Sequence, residues 1–120
     1  MLVNLLTCEG WMSREINFTS AFKKEFEKFP QEIQSDVVFL ITEYLKGVRL
    51  PNTSFKTFAL EKGIKIQEFK VKDHTGNWRA ISCFEDKDSL TFVYAFHKKS
   101  QRLLDKDKKV ITKRVKEILK

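Results

Sequence analysis

Apolar and polar positions along this chain fall into a few runs of clear period. Residues 14–18 (REINF) alternate weakly and predict a short strand. Phe22, Phe26 and Phe29 then recur at i, i+4 and i+7, the stripe of an amphipathic helix. Ser20 stands in position to cap it, and Lys23, Lys24, Glu25 and Lys28 fill its other side. Pro30 breaks this helix and is expected to open a second one at its first helical position, where a fixed φ helps and a missing N–H costs nothing. Ile33, Val37, Leu40, Ile41, Tyr44 and Leu45 share one face of that second helix, and Gly47 is its expected stop. Residues 20–46 thus predict a helical hairpin with almost no loop.

Residues 48–63 show no period, and Pro51, Asn52 and Ser54 mark them as irregular, with Phe55, Phe58 and Leu60 tucked under a sheet. Three strands are expected next, over 64–71 (IKIQEFKV), 78–84 and 90–96 (LTFVYAF). The polar turns between them, at 73–77 (DHTGN) and 85–88, are short enough to make an antiparallel meander. The third strand is apolar on both faces, as a covered strand must be. Ile111, Val115 and Ile118 then stripe a C-terminal helix, with Asp105 or Asp107 as its cap. The order predicts one α+β domain over residues 14–120, a helical hairpin packed on a small antiparallel sheet with a C-terminal helix. Residues 1–13 stand apart as a leader without the basic start or small-residue cleavage site of a secretory signal, and Met12 reads as an alternative start.

Composition narrows the class. The chain has 120 residues, 42% hydrophobic, with 11 Phe but only 4 Gly and 2 Pro, which fits a folded domain and excludes low-complexity classes. No apolar run approaches the roughly 18 residues of a membrane helix, so no membrane partner is expected. Cys8 and Cys83 form no CxxC and have no histidine at ligand spacing, so neither a disulfide framework nor a metal site is expected, and the default setting is a reducing one. The net charge is +7, and residues 97–120 carry all of it, with 10 basic against 3 acidic side chains. A local cationic surface of this kind suits a polyanion.

The candidate chemistry is cationic. No GxSxG, P-loop or Cys–His motif is present. In a meander the first and third strands run the same way, so Lys70 and Lys72 at the end of one lie at the same end of the sheet as His97, Lys98 and Lys99 after the other. Arg79 starts the intervening strand at that same end. Cations converging there suit a phosphate backbone and the charge that builds on a phosphorane. Each has a plainer alternative. Arg79 is also placed to pair with Glu68, His97 to end a strand, His74 to sit in a turn, and Lys106–Lys116 to form a solvated helix face. The phenylalanines read as core, and Trp78 and Phe92 are the aromatics considered for base stacking.

Three pieces carry a resemblance: Gln67–Glu68–Phe69–Lys70, then Gly76–Asn77–Trp78–Arg79–Ala80, then Phe96–His97–Lys98–Lys99–Ser100–Gln101. With their spacing, residues 14–118 resemble the RelE/ParE toxin superfamily, closest to its HigB-like, phage-derived branch. The resemblance implies a type II toxin–antitoxin toxin, a ribosome-dependent mRNA endoribonuclease that needs no metal or cofactor and uses the substrate's own 2′-OH. It implies Arg79, Lys98 and Lys70 as phosphate-binding and charge-stabilising residues, with His97 as a positional candidate for proton transfer. Lys72, Lys99, Arg102, Lys109, Lys113 and Lys116 are the expected RNA contacts. The implied partners are the ribosome, mRNA and a cognate antitoxin of helix-turn-helix type in a hetero-oligomer, and the implied compartment is the cytoplasm. The family's C-terminal tyrosine is missing, since residues 102–120 contain no aromatic. A ParE-like gyrase inhibitor and a small nucleic-acid-binding adaptor are the competing readings.

Overall fold

A computed structural model describes residues 15–60, 63–99 and 103–119. The expected leader, and Arg102 among the expected RNA contacts, lie outside the described residues. The elements run β1 (Glu15–Phe18), α1 (Ser20–Phe26), α2 (Gln31–Leu45), β2 (Phe55–Ala59), β3 (Lys65–Asp73), β4 (Gly76–Asp86), β5 (Ser89–Lys98) and α3 (Asp105–Ile118). The strands form one five-stranded sheet ordered β1-β5-β4-β3-β2. β1 joins β5 in parallel, and the remaining pairs are antiparallel.

Strand alternation divides the core in two. Phe69, Ala80, Leu90, Phe92 and Ala95 face one way and meet Phe22 and Phe26 of α1, Phe29, and Ile33, Val37 and Ile41 of α2. Ile66, Ile81, Cys83 and Val93 face the other way, against Ile111 and Val115 of α3. β4 is therefore covered on both faces, which explains its continuous burial from Arg79 to Cys83. No helix among the described residues is long and apolar enough to cross a membrane.

Local details differ from the sequence expectation for physical reasons. The stretch expected to be irregular contains β2, which pairs with β3 from Phe55↔Phe69 to Ala59↔Lys65. Its two phenylalanines are three residues apart, so Phe55 joins the α1/α2 core while Phe58 joins the α3 core, and no period-two pattern is left to read. The cap of α1 is Thr19, not Ser20; its Oγ1 accepts the Phe22 N–H at 3.1 Å. Pro30 occupies the cap position of α2, one residue earlier than expected. Neither Asp105 nor Asp107 caps α3: Leu104 holds that position without a side-chain bond. Asp107 instead turns inward, 1% exposed, where its Oδ1 accepts the Tyr94 hydroxyl at 3.0 Å and its Oδ2 forms an ion pair with the Lys98 ammonium at 2.9 Å.

β5 outruns β1, whose last partner on it is Phe92. Beyond that point side chains take over the open edge. Glu25 accepts the Ala95 N–H at 3.1 Å, and Arg114 donates to the Val93 carbonyl at 2.9 Å. Arg114 also donates to Glu25 at 2.9 Å and lies 4.9 Å from the centre of the Tyr94 ring, tying α3 to α1 across the end of β1. Burial, and secondarily Asp107, push the Tyr94 phenol up to about 12.

Gly76 fixes the β3–β4 turn against β5. Its φ is 135°, and a Cβ there would stand 2.5 Å from the Lys98 carbonyl oxygen and 3.1 Å from His97 Nε2. Gly47 has φ 87° but open space around it. Gly47→Ala is thus expected to cost only the left-handed strain, about 1–2 kcal/mol. Gly76→Ala adds a backbone clash and is expected to cost clearly more. Urea unfolding of both variants checks this; equal costs would contradict the packing described at the turn.

Candidate nucleic-acid interface

On the α3 face the sheet register stacks the cations in rows. Lys70 is opposite Arg79, which is opposite Phe96. One row further out, Lys72 is opposite Asn77, which is opposite Lys98. One row inward, Lys56 is opposite Glu68, which is opposite Ile81. Residues two apart on a strand share a face about 7 Å from each other, with strands about 4.8 Å apart. Lys56, Lys70, Lys72, Arg79 and Lys98 therefore occupy one compact end of the sheet. Lys56 was invisible to sequence reasoning because β2 was not expected; the signal that reveals it is the strand pairing itself.

These cations are not equivalent. Arg79 is 2% exposed and donates through Nη1 to Glu68 Oε2 at 2.8 Å, itself 4% exposed. The simpler alternative, a pair with Glu68, is the geometry found, though buried rather than half-exposed. Lys98 is held at 2.9 Å by the buried Asp107. Lys70 is half-buried, while Lys56, Lys72 and Lys99 are exposed. Burial, then Arg79, with Lys56 and Lys72 adding, push the Lys70 ammonium below its ordinary pKa, and Glu68 opposes them. Crowded positive charge of this kind is relieved by an arriving anion.

His97 lies on the other face. It pairs with Trp78, and the two rings stack with centroids 3.8 Å apart. Phe29 meets the same indole edge-on at 4.9 Å. Thr75 Oγ1 donates to Asp73 Oδ1 at 2.6 Å, so its oxygen accepts from His97 Nε2 at 3.1 Å. That hydroxyl holds the Asp73 carboxyl down to about 2. The structure thus brings Lys70, Arg79 and Lys98 onto one face and places His97 across the sheet from them. Of the two stacking candidates, Phe92 is fully buried and closed to a base, and Trp78 is sandwiched between Phe29 and His97. The reading of every phenylalanine as core fails at Phe39, which is 61% exposed on α2.

The α3 lysines form a second cationic surface. Lys108, Lys109, Lys113 and Lys116 line a groove of about 850 Å³ whose opposite wall is Phe58 and Leu60 at the β2 edge. It is a solvated helix face that borders an apolar wall.

These features define a RelE-like α+β protein, two helices on one face of a five-stranded sheet and one on the other, with cations gathered at a sheet end. The chain is similar in fold to a mutant of the Escherichia coli toxin RelE in its free state, with a TM-score of 0.56 and 17% identity over 90% of this chain and 100% of that one. It also matches the RelBE2 toxin–antitoxin complex from Mycobacterium tuberculosis, at a TM-score of 0.42 and 17% identity over 78% of this chain and 100% of that one. No curated protein matches the sequence. The model of the family described as phage derived protein Gp49-like matches residues 24–116, and the chain belongs to that family.

The buried pair makes a direct stability test. Glu68→Leu and Arg79→Met each strand a charge in the sheet, and each is expected to lose about 3–5 kcal/mol. The double variant leaves no charge behind and is expected to lose less than either single one. Denaturant unfolding of the cycle measures this. Additive losses would mean that the two side chains are not coupled.

Proposed function

We propose that this protein is the toxin of a type II toxin–antitoxin system, an endoribonuclease that cuts mRNA on the ribosome. The observation that carries the reading is the set of cation rows on the α3 face, Lys70–Arg79 beside Lys72–Asn77–Lys98. Membership of the Gp49-like family and the RelE-like fold support it.

In this reading the scissile phosphate sits over Lys70 and Lys72. The substrate's 2′-OH loses its proton and attacks the adjacent phosphorus. The P–O5′ bond breaks, and the 5′ oxygen leaves as it takes up a proton, giving a 2′,3′-cyclic phosphate and a 5′-hydroxyl end. Negative charge grows on the non-bridging oxygens, and preplaced cations stabilise it. Lys70 and Lys72 contact those oxygens, and Lys99 follows the strand. Arg79, held by Glu68, supplies a fixed positive charge behind them and positions Lys70. Lys98 shares its charge between Asp107 and the RNA. Lys109, Lys113 and Lys116 on α3 contact ribosomal RNA. His97, which faces the other way, stacks on Trp78 and anchors the sheet end. The protein acts in the cytoplasm, where its substrate is, and pairs with an antitoxin of helix-turn-helix type that covers the cationic face.

Lys70 is a better test than Arg79, whose removal strands Glu68 in the sheet. Lys70→Ala is expected to reduce cleavage about 10²–10³-fold, with little change in folding stability. Induced expression followed by mapping of RNA 5′ ends measures it. Wild-type protein is expected to give codon-linked cuts within translated regions, absent with Lys70→Ala. A DNA-damage response without RNA cuts would contradict the reading and favour gyrase as the target.

A further inference from the structure

At the same sheet end, Lys70 and Lys72 also border the outer edge of β3, whose other walls have no role so far. β2 begins at Phe55, opposite Phe69, so among the described residues β3 continues past it with β4 on one side and no strand partner on the other. The last backbone bond on that side is from the Lys70 N–H to the Ser54 carbonyl, at 2.8 Å. By the alternation of an antiparallel strand, the N–H and C=O of Lys72 point to the same open edge. Beside this edge lies a cleft of about 320 Å³, walled by Lys70 and Lys72, by Ser54, and by Asp36, Phe39 and Leu40 of α2.

The chemistry of the walls is that of a nucleotide. Phe39 presents a flat apolar ring that is 61% exposed, the most exposed large hydrophobic side chain among the described residues. An exposed ring beside two lysines is what single-stranded nucleic acid uses: the ring takes the base and the ammonium groups take the backbone. Asp36 on the α2 wall repels a phosphate and accepts from an exocyclic amine or a ribose hydroxyl, so it orients the base toward α2 and the phosphate toward β3. A volume at the lower end of the roughly 300–1,000 Å³ range of small-ligand sites fits one nucleotide rather than a folded partner.

We propose that this cleft is a nucleotide subsite, in which the base of the nucleotide that carries the scissile phosphate stacks on Phe39 while that phosphate is held by Lys70 and Lys72. The identity of the strand as cleaved mRNA rests on the function proposed above; the subsite itself is a claim about single-stranded RNA. It differs from the sequence expectation, which considered Trp78 and Phe92 for stacking.

The test uses the full chain and a fluorescently labelled single-stranded RNA hexamer, titrated by anisotropy across a salt series. Phe39→Ala is expected to weaken binding about fivefold or more, since a base–aromatic stack is worth at least about that factor. Its log–log salt slope should stay as in the wild type, because no charge is lost. Phe39→Trp should bind at least as well as the wild type, and its added indole fluorescence should be quenched by the RNA. Lys72→Ala should reduce the salt slope by about 0.7. Lys87→Ala, in the β4–β5 turn at the far end of the sheet, should leave affinity unchanged. Phe39→Ala binding as the wild type would overturn the subsite, and so would equal weakening by Phe39→Ala and Phe39→Trp. Absence of hexamer binding by the wild type, or an effect of Phe39→Ala confined to a protein partner, would overturn it too. Failure of the parent reading looks different: Phe39-dependent RNA binding with no RNA cuts in induced cells would leave the subsite standing and remove only the cleavage.

Discussion

A guanidinium lies inside a two-sided sheet, and the arrangement around it follows from that constraint. Arg79 is on β4, which has helices over both faces, and only a buried carboxylate offsets the cost of taking its charge out of water. Glu68 supplies it from the neighbouring strand at 2.8 Å. The pair fixes the β3–β4 register, because a slip of β4 by one residue turns Arg79 away from Glu68 and toward the phenylalanine core. A buried ion pair adds little net stability over an apolar replacement, so its value here is best seen as specificity of register. With that register set, Lys70 is opposite Arg79 and Lys72 is opposite Asn77. The exposed cations are thereby aligned with a buried one behind them.

The second buried acid does comparable work for α3. Asp107 holds Lys98 and Tyr94, and Arg114 joins Glu25 and the Val93 carbonyl, so the helix is tied to the sheet at both its first and its third turn. The docked helix closes over Ile66, Ile81 and Val93 and projects its lysines away from them. Two kinds of cation result. Arg79 and Lys98 are paired with buried acids and organise the sheet end. Lys56, Lys72 and Lys99, with Lys108, Lys109 and Lys113 of α3, are exposed, and Lys70 is half-buried beside them. The proposed chemistry needs both, a fixed positive background and mobile groups that reach the phosphate oxygens.

Much of this was legible from residue spacing. The apolar face of α2, the meander and the stripe of α3 each have one dominant period, and each formed as its period predicts, whereas α1 ends at Phe26 and leaves Phe29, the third member of its expected stripe, in the turn that follows. What was hidden depends on tertiary pairing. β2 carries one phenylalanine into each core, so it has no readable alternation, and with it Lys56 and the open edge of β3 went unseen. Asp107 reads as a helix cap because Asp is common there, and only the position of Lys98 and Tyr94 shows why it turns inward. For the site, meander geometry correctly gathered Lys70, Arg79 and Lys98, but a one-residue offset on β5 puts His97 on the opposite face. Phe39 stands off the apolar stripe that Ile33, Val37 and Ile41 define on α2, so its exposure was legible from helical spacing and was hidden only by grouping all the phenylalanines as core.

The central claim is that RNA phosphate is bound at the β3 end of the sheet. It is tested most directly by a structure of the protein on a ribosome whose mRNA carries a 2′-deoxy nucleotide at the cut site, which removes the attacking hydroxyl. The account predicts the unbroken phosphate within hydrogen-bonding reach of Lys70 or Lys72, with the Glu68–Arg79 pair intact beneath it. An mRNA path across another face of the sheet, with Lys70 and Lys72 in solvent, would contradict it.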